Sequence, residues 1–173
     1  VEPYLAALDQ EIDAAAGYLR EAGAKVRTIY IGGGTPTTLS APQLEHLISH
    51  LRQVLELDRL AEFTVEAGRP DTITADKMAV LRDLGVDRVS VNPQTMQDEV
   101  LRAMGRSHTA ADILTAYDIV RKSGIPIVNM DLIAGLPKDS VAGFQDTLDT
   151  VLSLDPENIT VHTLALKKGA RLM

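Results

Sequence analysis

The feature that most constrains the fold is a regular alternation of two hydrophobic patterns along the chain. Short apolar runs, several of them rich in β-branched residues, predict strands at 28–31, 62–66, 86–91, 125–133 and 159–166. Apolar residues spaced three and four apart predict helices at 3–21, 40–55, 74–84, 96–104, 110–122 and 141–154. Because a helix follows almost every strand, the strands are expected to run parallel, with helices covering the sheet.

Two parallel architectures fit this order, a doubly wound open sheet and a (β/α) barrel. The chain has 173 residues, whereas a complete eight-strand barrel needs about 250. No low-complexity linker divides the sequence. We therefore expect residues 1–173 to form one domain, and a barrel of this length to be incomplete.

Charge and composition exclude several classes of protein. A net charge of −7 argues against a nucleic-acid scaffold. The chain has no cysteine, so it has no disulfide, no thiolate nucleophile and no Cys-ligated zinc or iron–sulfur cluster of its own. No apolar run approaches the roughly 18 residues of a membrane span. We expect a cytoplasmic protein without a metal site in this chain.

Polar residues or glycines follow every predicted strand. Ligands of parallel βα folds bind at the carboxyl ends of the strands, so these segments are expected to share one rim. The segments are 32–37 (GGGTPT), 66–70 (EAGRP), 92–95 (NPQT), 129–131 (NMD) and 162–163 (HT).

The three glycines at 32–34 allow two interpretations. They form either a tight strand-to-helix turn or a stretch of bare backbone that grips the ammonium and carboxylate of a ligand. No Gly-Lys-Ser/Thr follows them, and Pro36 interrupts the spacing of a dinucleotide-binding motif. The sequence thus indicates neither a P-loop nor a Rossmann fingerprint.

Three charged residues are candidates for ligand contacts. Asp131 lies in an apolar run, where a carboxylate needs a partner or a ligand. Glu66 ends a strand and is either a ligand-binding group or a rim carboxylate paired with Arg69. Arg106 is either the partner of a carboxylate or a solvated side chain.

The histidines give little support for hydrolase chemistry. No Ser-His-Asp set is evident, and His162 is interpreted as a structural histidine. His46 and His50 have the i,i+4 spacing of a metal pair, but nothing else in the sequence converges on them. We expect them to lie on a solvated helix face.

Six segments, in this order, resemble radical S-adenosylmethionine (SAM) enzymes of the oxygen-independent coproporphyrinogen III oxidase type. Their GRP, NPQTM and VHTLA variants look most like the coproporphyrinogen dehydrogenase branch. The segments are IYIGGGTPT (29–37), VEAGRP (65–70), VNPQTM (91–96), MGRSH (104–108), MDLIAGLP (130–137) and TVHTLA (160–165).

The resemblance implies a partial (β/α)6 TIM-like barrel, with helices outside a parallel sheet and its first strand upstream of residue 1. It also implies a [4Fe–4S] cluster held by a CxxxCxxC loop. In the family this cluster reduces SAM to a radical that starts the oxidative decarboxylation of porphyrinogen propionates to vinyl groups. An electron donor such as flavodoxin or ferredoxin is implied as a partner.

By position in these motifs, Gly33 and Glu66 match family residues that contact a first SAM. A second SAM has been described in the oxidase, and six positions match the residues around it. These are Gly34, Thr35, Gln94, Arg106, Asp131 and Ala165.

The cluster loop and the substrate-covering C-terminal domain of the family are not in these 173 residues. We therefore expect the middle part of a longer enzyme, inactive by itself, with no catalytic residue assigned. A haem-binding trafficking chaperone of the same family, a radical SAM enzyme with another substrate and a ligand-free scaffold are the alternatives.

Overall fold

The computed structural model describes residues 1–57 and 59–165. The helices are α1 (Glu2–Glu21), α2 (Ala41–Val54), α3 (Ala75–Asp83), α4 (Asp98–Ala103), α5 (Ala110–Ser123) and α6 (Val141–Ser153). The strands are β1 (Thr28–Ile31), β2 (Glu62–Ala67), β3 (Arg88–Gln94), β4 (Ile127–Ala134) and β5 (Asn158–Thr163). Single 3-10 turns at Pro36–Thr38 and Pro70–Thr72 follow β1 and β2.

All five strands form one parallel sheet in the order β1-β2-β3-β4-β5, as the alternating sequence predicts. Each new strand is added beside the previous one and on the same side of it. That order is typical of a barrel wall, since a doubly wound sheet reverses direction partway. The carboxyl ends of all five strands therefore lie along one rim.

The two faces of the sheet differ in polarity because side chains alternate along a strand. One face packs against the helices and forms the core. Its strand residues are at most 1% exposed; they are Phe63, Val65, Ala67, Val89, Val91, Val128, Met130 and Leu132. Helix residues that join this core include Leu44, Ile48, Met78, Leu81, Ile113, Val120 and Val151.

Only β1 has the predicted bounds, and the other four strands differ from the predictions at one end or at both. β4 begins at Ile127 instead of residue 125, because Pro126 has no N–H to donate to the ladder. β3 extends to Gln94, with a shift in its pairing to β4 between Val91 and Gln94. In the predicted last strand, Leu166 lies outside the described residues.

Helix α1 packs across α2 at the histidine pair. His46 Nε2 lies 2.8 Å from Asp9 Oδ2, and His50 Nε2 lies 3.0 Å from Asp13 Oδ1. The His50 side chain is only 19% exposed, so the expectation of a solvated face is wrong for this residue. The sequence did not reveal the contact because it depends on two acidic residues some 37 positions away.

No helix within the described ranges is long and apolar enough to cross a membrane.

Glu157 connects the entry of β5 to both α5 and β4. Its carboxylate accepts hydrogen bonds from Arg121 Nη1 at 2.6 and 2.9 Å, and from the Val128 N–H at 2.8 Å. Partial burial alone would raise the pKa of the Glu157 carboxyl, but the hydrogen bonds from Arg121 and Val128 outweigh it and lower that pKa. The ionised carboxylate is thus favoured in the folded state.

We predict that Glu157→Gln lowers the free energy of unfolding at pH 7 by about 1 kcal/mol, a small value because the pair is partly solvated. A lowered folded-state pKa stabilises the fold above the unfolded-state pKa, which is about 4.3 for Glu. The difference between the two proteins should therefore shrink as pH falls below about 4.3. Urea unfolding of both proteins at several pH values measures it.

The exposed Glu45 of α2 provides the matched control. Glu45→Gln should leave the stability at pH 7 nearly unchanged. An equal loss in both variants, or a loss for Glu157→Gln that does not depend on pH, would contradict the role of this carboxylate.

Candidate functional site

The three glycines carry the chain from β1 to the rim of the sheet. Gly33 has φ +109°, a backbone conformation that favours glycine, so the segment is a sharp turn. Gly32, Gly33 and Gly34 are all exposed, and Thr35 is half-buried at the start of the 3-10 turn. The tight turn that the sequence allowed is thus present and its backbone is exposed, while a grip on a ligand stays a prediction.

Glu66 lies near the end of β2 on the polar face of the sheet, half-buried. Its Oε1 accepts a hydrogen bond from the Tyr30 hydroxyl at 2.5 Å. Arg69 is exposed, and the ion pairs of the described residues do not include one between Arg69 and Glu66. The suggested Glu66–Arg69 pair is therefore wrong, and within residues 1–57 and 59–165 no hydrogen bond engages the second oxygen, Oε2.

Asp131 has the partner that its apolar surroundings require. Its Oδ1 accepts from Asn129 Nδ2 at 2.6 Å, and the same Nδ2 donates to Ser90 Oγ at 2.8 Å. The Thr160 hydroxyl donates to Asn129 Oδ1 at 2.9 Å. Through these bonds the Asn129 amide links three strands, β3, β4 and β5. It does so beneath the rim, since Asn129 is only 3% exposed.

Tyr30, Glu66 and Asp131 are close enough to influence one another. The pKa of the Tyr30 phenol is raised by partial burial, by its hydrogen bond to Glu66 and by the charges of Glu66 and Asp131. The phenol therefore keeps its proton at neutral pH and remains a donor. These three residues form the acidic part of the site.

The other predicted residues surround this acidic part at the rim. Gln94 is half-buried at the last position of β3 and has φ +67°, which is uncommon for a residue with a side chain. Ala165 is exposed just beyond β5, after Leu164, whose N–H donates to the Ala134 carbonyl. The Gln94 side chain makes no hydrogen bond to Glu66 or Asp131 within the described ranges, and Ala165 has no polar side chain.

Arg106 lies close enough to Arg69 and Asp71 to be affected by their charges. Its guanidinium is half-buried, and its pKa is lowered by this burial and by the charge of Arg69, with Asp71 acting in the opposite direction. The structure thus places Arg106 near the turn after β2, without a hydrogen bond to either site carboxylate among the described residues.

A cavity of about 690 Å³ opens between α1, α2 and β1. It includes Gly34, Thr35 and Tyr30, but most of its lining is apolar, with residues such as Ile29 and Leu47. Glu66 and Asp131 do not line it. This cavity and the acidic part of the site therefore meet at Tyr30, next to the glycine turn.

Sequence reasoning missed Tyr30 and the particular role of Gly32. A Cβ built on Gly32 would lie 2.6 Å from Tyr30 Cε1 and 3.1 Å from the Glu66 carboxyl carbon. Gly32 is thus required by the close approach of two side chains. The available signal was strand alternation, which puts Tyr30 on the polar face, two residues before a glycine.

A family model described as the radical SAM superfamily matches residues 4–151 of the chain. The chain belongs to the radical SAM superfamily.

Relatives within the radical SAM superfamily include proteins named as oxidases and as haem chaperones. The chain is 42% identical to the "Oxygen-independent coproporphyrinogen-III oxidase-like protein HemZ" of Bacillus subtilis, over 99% of this chain and 34% of that protein. It is 37% identical to the "Heme chaperone HemW" of the same organism, over 96% of this chain and 44% of that protein. The chain thus spans between a third and a half of these curated relatives.

Among solved structures, coproporphyrinogen III oxidase HemN from Escherichia coli superposes with a TM-score of 0.83 and 34% identity, over 95% of this chain and 37% of HemN. HemN is described as a radical SAM enzyme. This similarity, with the parallel sheet and its helices, confirms the α/β fold of the TIM-like radical SAM type.

The residues of this radical SAM chain do not fit an iron–sulfur cluster, because the sequence contains no cysteine. No group of three or more His, Asp or Glu side chains able to hold a metal ion occurs in residues 1–57 and 59–165. A ligand with an ammonium group and hydroxyls does fit, since Glu66 Oε2 and exposed glycine backbone lie at one rim.

We predict that Asn129→Ala lowers the free energy of unfolding by about 2–3 kcal/mol, because Asp131, Ser90 and Thr160 all lose a buried partner. Urea unfolding monitored by circular dichroism measures this loss. Gln10→Ala is the control, because Gln10 is exposed on α1, away from the amide network. Equal losses in the two variants would show that the cross-strand amide has no special role.

Proposed function

We propose that this chain is the SAM-binding barrel part of an oxygen-independent coproporphyrinogen III oxidase or dehydrogenase. The observation that carries the proposal is the pairing of an acidic site with a glycine turn at one rim of the barrel. Glu66 offers one unbonded carboxylate oxygen there, beside exposed backbone groups. The oxidase-like names of HemZ and HemN support the choice of reaction.

In this proposal Glu66 and the backbone at Gly33 hold one SAM molecule. The carboxylate accepts hydrogen bonds from an ammonium or from ribose hydroxyls, and such bonds are stronger when the acceptor is charged. The exposed N–H and C=O groups of the turn suit the charged ends of an amino acid. Tight approach is possible because the turn carries no side chain.

A second SAM position is assigned to six residues around the rim, namely Gly34, Thr35, Gln94, Arg106, Asp131 and Ala165. Asp131 retains Oδ2 for a ligand hydroxyl, because Asn129 occupies Oδ1. Arg106 suits a ligand carboxylate, since a guanidinium binds carboxylates in a two-pronged manner. Its partial burial removes competing water.

The [4Fe–4S] cluster in this proposal is held by cysteines outside these 173 residues. When bound, the cluster would supply the electron that reduces SAM to the radical, and this radical would remove hydrogen from the substrate propionates. The residues described above bind and orient SAM and keep water from its charged groups. An electron donor such as flavodoxin or ferredoxin serves the cluster, and the proposed location is the cytoplasm.

We also propose that residues 1–173 belong to one barrel domain. One continuous core cluster extends from Leu44 to Val151, and the family match covers residues 4–151. Both observations favour a single folding unit over two.

The second candidate function is that of a haem-binding trafficking chaperone. It is favoured by the 37% identity to the protein named HemW, which is close to the 42% identity to HemZ. A radical SAM enzyme acting on another substrate is the third candidate. Both alternatives use the same barrel: the chaperone would bind haem without converting it, and the third candidate would act on a substrate other than a porphyrinogen.

We expect the full-length protein containing this chain, loaded with its cluster, to convert coproporphyrinogen III to protoporphyrinogen. The assay contains SAM and a reductant and excludes oxygen, and the product is measured by chromatography after oxidation to the porphyrin. Stable haem binding without turnover would overturn the oxidase and support the chaperone. Turnover of SAM without any porphyrin product would favour another substrate.

Glu66→Gln tests the site itself. We expect it to weaken SAM binding about tenfold or more, because a charge-assisted hydrogen bond becomes a neutral one. Glu45→Gln on the exposed surface of α2 is the control and should bind SAM as the wild type does. Unchanged SAM binding in Glu66→Gln would overturn the assignment of this carboxylate.

A further inference from the structure

We infer that Tyr30 is a positioning residue for SAM, acting through its hydrogen bond to Glu66. This inference rests on the proposed function and names a residue that the resemblance to the family did not point to. Tyr30 lies on β1 and Glu66 on the neighbouring β2, so the bond crosses between two strands. It joins the glycine turn to the carboxylate that the turn faces.

The contact fixes a side chain that otherwise has several rotamers. A glutamate has three rotatable bonds and loses conformational freedom when a ligand orders it. The Tyr30 hydroxyl, 2.5 Å from Oε1, already holds the carboxylate in place before a ligand arrives. The second oxygen, Oε2, is then presented in one direction only.

The packing around the contact shows that little else fits there. A Cβ at position 32 would lie 2.6 Å from the ring of Tyr30 and 3.1 Å from the Glu66 carboxyl carbon, closer than ordinary van der Waals contact. The first glycine of the turn therefore clears the space in which the phenol reaches the carboxylate. Gly32, Tyr30 and Glu66 form one packed unit.

Exposure and charge are consistent with a positioning role. Tyr30 is 59% exposed, so its ring borders open space next to the ligand position and contributes little to the core. Burial and the charge of Glu66 raise the pKa of the phenol, so it donates throughout the neutral pH range. A phenylalanine at this position would keep the ring and remove only the donor.

The experiment measures the dissociation constant of SAM by equilibrium dialysis, using the full-length, cluster-loaded protein under anaerobic conditions. The variants are Tyr30→Phe, Glu66→Gln and the double variant. We expect Tyr30→Phe to weaken SAM binding about fivefold, the usual effect of freeing one side chain. In the Glu66→Gln background the same change should have less than about a twofold effect, because the two residues act as one unit.

Tyr18→Phe is the matched control. Tyr18 is 72% exposed on α1, and its loss of a hydroxyl should leave SAM binding unchanged. Thermal unfolding of each variant, measured before the binding assay, confirms that the proteins compared are folded.

The outcomes separate the inference from the proposed function. Weak binding by Glu66→Gln with wild-type binding by Tyr30→Phe would overturn the role of Tyr30 and leave the SAM site standing. Effects that multiply in the double variant would show that Tyr30 acts independently of Glu66, which also overturns the inference. Wild-type binding by Glu66→Gln would overturn the site and, with it, the role of Tyr30.

Discussion

Cross-strand hydrogen bonding on the polar face of the sheet is the interaction on which the rest of the structure depends. A parallel sheet normally buries both faces under helices and fills them with apolar residues. Here the other face carries polar groups, and those that are buried must find partners within the sheet. The Asn129 amide meets that requirement for β3, β4 and β5, and the more exposed Tyr30–Glu66 bond joins β1 to β2. The hydrogen bonds from Tyr30 and Asn129 thus pair polar groups of the sheet and also hold the site carboxylates, Glu66 and Asp131, in place.

Much of the fold is predictable from the sequence because the hydrophobic period, the order of the elements and the pairing of the strands all agree. The period of the apolar residues gives the order of helices and strands, and the order gives parallel pairing. A barrel and an open sheet differ only in the order in which strands join the sheet. The hydrophobic period of the sequence does not reveal that order. The distinction came from the resemblance and from the observed order β1-β2-β3-β4-β5. The predicted strand boundaries were wrong where a single residue limits the ladder of hydrogen bonds, as at Pro126, which has no N–H.

The site was predictable to a smaller degree. Residues at strand ends share a rim for topological reasons, so Glu66 and Asp131 were within reach of the sequence. Their partners were not, because Tyr30 and Glu66 are 36 positions apart and their meeting depends on strand register. The His50–Asp13 contact was missed for the same reason. Arg106 is the opposite case. Its motif predicts a contact with the ligand, but no hydrogen bond among the described residues joins Arg106 to Glu66 or Asp131.

Because side chains alternate between the two faces of the sheet, the lengths of these strands are constrained during evolution. Inserting one residue between Val128 and Asn129 would turn Asn129 and Asp131 toward the helices and turn Met130 toward the site. Core packing and the amide bridge would be lost in one step. Insertions in the turns after each strand shift neither face. Variation in chain length among proteins with this sheet should therefore collect in the rim loops, which are also the segments that contact ligands, so ligand preference and loop length are free to change together.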